Sequence, residues 1–144
     1  RFAAVFGPAE RARAMEIKMS VAEVVTIASL IEREAKADEE RPLISAVFYN
    51  RLRLGMPMQS DPTVLYSLSR FSGKLTKADL HAPSPYNTYL HRGLPPGPIA
   101  SPGRASVMAA LYPSSSRYLY FVAKNDGTHA FSNTLREHDA MVRR

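Results

Sequence analysis

The chain contains no cysteine in 144 residues. That excludes disulfides, thiolate metal sites and a thiol nucleophile. Long apolar runs are missing too: charges interrupt every stretch before the roughly 18–20 residues that would cross a bilayer. There is no signal-peptide pattern, and the chain opens on Arg1, as expected of a piece of a longer protein. No block of five or more like charges occurs. GxGxxG, Walker, GxSxG and HExxH patterns are all absent, which removes the usual phosphate cradles, the hydrolase elbow and the zincin helix. Four histidines, His81, His91, His129 and His138, fall in loops and hairpin ends without HxxxH spacing. Neither a metal site nor a cofactor is expected.

What is present is ordinary globular composition, 45% hydrophobic and 22% charged, at a length that suits one domain. A net charge of +6 favours anionic partners such as nucleic acid, anionic lipid or an acidic polymer, although basic residues spread over a solvated surface give the same total. "PAERARAMEIK" reads as a lead-in helix with Pro8 in its first turn. Ser20 and Glu23 form a capping box before a helix expected to reach about Ala37. Asp38 is a candidate cap for "EERPLISAVFYNRLRL", which Gly55 ends. Asp61–Pro62 predicts a helix from about Pro62 to Arg70, and Thr76 with Asp79 caps a short turn. His81 to Pro102 carries six prolines and two glycines in 22 residues, which forbids regular structure. Its apolar members Tyr86, Tyr89, Leu90, Leu94 and Ile99 argue for an ordered, packed loop. Ser101 and Pro102 open a helix that Pro113 must end. "RYLYFVAK", "NDG" and "THAFSN" read as a hairpin, and Thr134 with Glu137 caps a last helix. The expectation is one α+β domain over 1–144, helix-rich with a small antiparallel component. Residues 1–19 form the lead-in and 20–144 the core, with five or six helices and one or two hairpins.

"VVTIASLIEREA", Val24 to Ala35, ends an apolar run in two glutamates one residue apart. Projected at about 100° per residue, Val24, Ile27, Ala28, Ile31 and Ala35 form a stripe, with Glu32 and Glu34 at its opposite edges. A carboxyl at such a margin is half desolvated, which raises its pKa and suits it to be a general acid. Margins of amphipathic helices also hold plain solvated glutamates. The run alone leaves both readings open, and it does not choose between the two residues.

Polar groups gather at turns. "QSDPT" brings together Gln59, Ser60, Asp61 and Thr63; aspartate before proline is capping chemistry, and such turns also present groups to ligands. In "SPYNTY", Tyr86 and Tyr89 offer faces for stacking and Asn87 offers both donor and acceptor.

Taken in order, "ASLIEREA", "VFYNRLRLGMPMQSDPTVLY", "YNTYLHRGLPPGPIASPG" and "YLYFVAKNDGTHAFSNTLREH" resemble the endolytic murein transglycosylases, the YceG-like or MltG family, from about Val21 to His138. The resemblance implies a lysozyme-like active-site helix and lytic cleavage of the MurNAc–GlcNAc β-1,4 bond of peptidoglycan. The products would be 1,6-anhydro-MurNAc ends, made endolytically on nascent strands so as to limit their length. It assigns Glu32 as general acid/base and Glu34 as a supporting acid, with Ala35 standing where relatives carry threonine. Gln59, Ser60, Asp61, Thr63, Tyr86, Asn87, Thr88, His129 and Phe131 are its glycan-binding residues. Implied partners are peptidoglycan strands and peptidoglycan synthases, with no nucleic acid. The parent would be held in the bacterial inner membrane by an N-terminal transmembrane helix absent from this sequence, with this domain soluble on the periplasmic side. Alternatives are a hydrolytic muramidase pairing Glu32 with Asp61, and a non-catalytic peptidoglycan-binding or divisome scaffold module.

Overall fold

The computed structural model describes residues 6–70 and 72–142; residues 1–5 of the expected lead-in lie outside them. Helix α1 (Pro8–Glu16) starts on its proline, and the Glu10 carboxylate accepts the Gly7 N–H. Helix α2 (Val21–Glu34) opens with the expected capping box between Ser20 and Glu23. The whole foreseen stripe, Val24, Ile27, Ala28, Ile31 and Ala35, is buried, and so are Leu30, Thr26 and Ser29. Helix α2 is therefore the central helix, walled in on most of its circumference. Each large apolar side chain buried this way contributes roughly 1.5–3 kcal/mol.

Helix α2 stops at Glu34 rather than near Ala37. Ala35 turns to an extended conformation (ψ 141°) and enters the core. A 3-10 turn at Asp38–Glu40 then leads into α3 (Arg41–Leu54). Asp38 does not cap that helix; its carboxylate pairs with Arg41 at 3.0 Å instead. Gly55, at φ 71°, closes α3 in the left-handed conformation that glycine adopts at least cost.

Helix α4 (Asp61–Ser67) ends three residues earlier than expected, and α5 (Lys77–Leu80) sits on its Thr76/Asp79 box. The proline-rich stretch holds no helix or strand, yet it is packed: Leu94 and Ile99 meet the core, and the Ile99 N–H donates to Ser29 Oγ at 3.0 Å. Helix α6 (Arg104–Leu111) begins after Gly103, two residues later than Ser101–Pro102 implied, and presses on α2 through Val107, Ala110 and Leu111. Strands β1 (Tyr120–Ala123) and β2 (His129–Ser132) pair antiparallel with Phe121 opposite Phe131, and α7 (Leu135–Val142) packs on both. Phe48 meets Phe121 edge to face at 5.9 Å, which ties the hairpin to the helical core. The architecture is α+β, with seven α-helices and one hairpin among the described residues.

A cleft at the C-terminal end of the central helix

The segment between α3 and α4 is built to hold an awkward backbone. Gln59 has φ 49°, a left-handed conformation that costs a side-chain-bearing residue on the order of 1 kcal/mol. A knot of hydroxyls beside it absorbs that cost. Thr88 Oγ1 accepts the Ser60 N–H at 2.9 Å, Thr63 Oγ1 donates to the Ser60 carbonyl at 2.6 Å, and the two threonine hydroxyls lie 2.8 Å apart. From beneath, the Arg51 guanidinium donates to the carbonyls of Pro57 and Met58 at 3.0 and 3.1 Å, and to Gln59 Oε1 at 3.4 Å. Arg51 also donates to the Leu119 carbonyl and lies over the Tyr120 ring. One buried cation thus joins α3, the turn and the hairpin.

Around this turn opens a cleft of about 550 Å³, lined by Glu34, Arg51, Gln59, Asp61, Tyr89 and His129 and closed on the far side by the hairpin and α7. Glu34, the last residue of α2, keeps a partly exposed edge. Its carboxyl is pushed up to about 7, first by desolvation and then by the neighbouring Asp61 charge; the Ser60 hydroxyl, which donates to Glu34 Oε2 at 3.2 Å, and Arg51 oppose the shift. Asp61 accepts the Tyr89 hydroxyl at 2.5 Å, and burial together with that carboxylate pushes the Tyr89 phenol up. His129 is held at two points by Glu40, whose carboxylate accepts the His129 N–H and contacts Nδ1, both at 2.9 Å. A proton-bearing carboxyl, an ionisable partner beside it and oriented polar groups can together deliver a proton to a bridging oxygen and take one back.

Glu32 has a different setting. Desolvation acts to raise its pKa, but the donors prevail and hold the carboxyl below the usual range: the Gly103 N–H and the Ser106 hydroxyl, each 2.9 Å from Oε1, and Arg41 at 3.9 Å. Gly103 is the N-cap of α6, so this carboxylate also sits at the positive end of a helix dipole. It bolts α2 to α6. The half-apolar margin does act to raise the Glu32 pKa, and the donors from residues 103 and 106 that offset it are ones helix projection cannot see.

Other expected site residues separate in the same way. Gln59, Asp61 and His129 line the cleft with Glu34, and Ser60 touches it through its hydroxyl. Thr63 and Thr88 are buried in the knot rather than offered to a ligand. Asn87 is fully buried: Nδ2 donates to the Leu80 and Ala82 carbonyls and Oδ1 accepts the Tyr89 N–H, so it braces the loop. Tyr86 lies outside this cleft, packed against Tyr66 with the rings tilted by 47° and their centroids 4.8 Å apart, and Phe131 packs on the core. Asp61 is not a cap either; Ser60 holds the N-cap position and Asp61 turns to Tyr89. Arg51 and Glu40 carry no signal of a site in the sequence, because each looks like an ordinary helix charge until the hairpin folds over it. Tyr89 was legible as a stacking ring but not as a partner for Asp61.

The model of the YceG-like family matches residues 1–144. An endolytic murein transglycosylase of Bacillus subtilis is 50% identical over 122 residues, 85% of this chain and 34% of that protein. One from Streptococcus pneumoniae is 38% identical over 130 residues, 86% of this chain and 24% of its own length. A crystal structure of a YceG-like protein from Listeria monocytogenes superposes with TM-score 0.87 at 48% identity, covering 93% of this chain and 43% of that one. The chain thus spans about a quarter to a third of the curated relatives it matches.

Proposed function

The chain belongs to the YceG-like family, and we propose that it is the catalytic part of a peptidoglycan lytic transglycosylase, with Glu34 rather than Glu32 as its acid. The observation that supports the assignment is the placement of Glu34 in a polar cleft it shares with Asp61, Gln59 and His129, a setting in which desolvation and the Asp61 charge push its carboxyl up to about 7. Protonated Glu34 donates to the oxygen leaving C1 of the MurNAc residue. The resulting carboxylate accepts the proton of the MurNAc C6 hydroxyl as that oxygen bonds to C1, giving the 1,6-anhydro ring and restoring Glu34. No water is consumed, and one carboxyl serves as acid and base.

The neighbours have defined parts in this reading. Asp61 keeps the proton on Glu34 and offers negative charge to the oxocarbenium-like carbon as the bond breaks. Tyr89 fixes the Asp61 carboxylate, and Arg51 fixes Gln59, which meets sugar hydroxyls or N-acetyl groups. His129, aimed by Glu40, contacts the glycan from the hairpin side. The wall synthases and the membrane anchor belong to the same proposal for the whole protein; among the described residues no helix is long and apolar enough to cross a membrane.

A hydrolytic reading has one observation in its favour, since Asp61 supplies a second carboxylate in the same cleft. Mass spectrometry of purified glycan strands after incubation separates the two. Products lighter by one water than hydrolytic fragments, lost in Glu34→Gln and kept in Glu32→Gln, support the lytic reading with Glu34. Reducing ends favour the hydrolase. Loss only in Glu32→Gln returns the acid to Glu32.

A further inference from the structure

A second opening, of about 490 Å³, lies beside the cleft and differs from it in charge. Arg33, Arg70, Tyr66, Pro62 and Ile99 line it, and none of the described residues lining it is acidic. The cleft has three carboxylates, Glu34, Asp61 and Asp139. The two openings share a wall. Arg33 and Glu34 are consecutive on α2, Asp61 and Pro62 consecutive on α4, and one residue of each pair faces each opening.

We propose that this second opening is a subsite for the carboxylates of the peptide stems borne by the glycan strand. The inference rests on the transglycosylase reading and extends it from the sugar to its side arm. A stem leaves the sugar chain at the same residue whose C1 reacts, so it must exit past the wall of the cleft.

The chemistry of the lining fits such an arm. Guanidinium groups bind carboxylates through paired N–H donors in a fixed fork. Arg70 is held in place by Asp79 Oδ2 at 3.5 Å and by the Lys74 carbonyl at 3.1 Å. Among the described residues those contacts take two of the five guanidinium N–H donors, and the others are offered to a ligand. Tyr66, braced on Tyr86, supplies an apolar face for alanine-sized side chains, and Ile99 is anchored through its backbone to Ser29. The pocket is thus set before a ligand arrives.

The test uses three forms of one strand preparation: stems intact, stems with carboxylates amidated by carbodiimide and ammonia, and stems removed by an amidase. Cleavage and binding are both measured, for the unaltered chain, Arg33→Gln and Arg33→Lys. For Arg33→Gln, KM on intact strands should rise up to about fivefold, the worth of one ion pair at an exposed position, with kcat kept. On amidated or denuded strands the same variant should match the unaltered chain within about twofold. Arg33→Lys should recover part of the loss, since it keeps the charge without the fork. Equal effects of Arg33→Gln on all three strands, or none on any, overturn the subsite. If the unaltered chain cleaves nothing, the transglycosylase reading falls, and the binding data still decide the subsite by whether intact stems are preferred in an Arg33-dependent way.

Discussion

Glu34→Gln replaces a carboxyl whose proton the fold holds up to about pH 7 with an amide of nearly the same shape, which can still accept the Ser60 hydroxyl. In the unfolded chain the carboxyl ionises near its ordinary value of 4.5; in the folded chain it ionises near 7. Between those values the unfolded state releases a proton that the native state retains, so this group favours folding fully only below about pH 4.5. Its contribution falls as pH rises and levels off above about pH 7. The difference of 7 − 4.5 = 2.5 pH units, at about 1.36 kcal/mol each, sets an upper bound of roughly 3 kcal/mol. The partly exposed edge of the side chain reduces this to about 1–3 kcal/mol. Relative to the unaltered chain, Glu34→Gln should therefore gain nothing near pH 4 and melt roughly 3–10 °C higher near pH 8. Paired thermal melts across that range, followed by circular dichroism, measure it. A difference flat with pH, or a variant less stable near pH 8, refutes the account of Glu34.

Glu32→Gln should behave with the opposite sign. Its carboxylate is held ionised, so the variant should lose about 1–3 kcal/mol above the ordinary glutamate range and match the unaltered chain in acid, while activity per folded molecule persists. A dead but fully stable Glu32→Gln would sink the assignment. The pH profile of kcat/KM should fall above about pH 7 as Glu34 loses its proton, and a profile flat to pH 9 argues against it. Asn87→Ala strands the Leu80 and Ala82 carbonyls and should destabilise by about 1–3 kcal/mol; normal stability with lost cleavage in denaturant titrations would return Asn87 to the glycan. Glu40→Ala frees His129 and should weaken KM and the protection of β2 amides together, which hydrogen exchange beside steady-state kinetics detects. Unchanged β2 protection contradicts the clamp.

Local chemistry in the chain settled a good deal by itself. Capping boxes at Ser20, Thr76 and Thr134 acted within three residues of their partners and formed as read. The stripe from Val24 to Ala35 was buried because a helix of period 3.6 has one face for it. Proline density kept His81 to Pro102 irregular, and the apolar residues among the prolines made it pack. Those are short-range effects, and a single sequence contains them whole.

The difference between Glu32 and Glu34 needed the fold. Both look alike on a helical wheel, and their proton affinities diverge only because Gly103 and Ser106 arrive at one while Asp61 and a desolvating wall arrive at the other. The same holds for the polar turn residues. Thr63, Asn87 and Thr88 point inward because the turn must satisfy its own backbone, which leaves Gln59 and Asp61 to face the cleft. Sequence fixes which groups are available; long-range packing decides which of them meet water, each other or a ligand, since pKa and exposure are set by neighbours that the order of residues does not reveal.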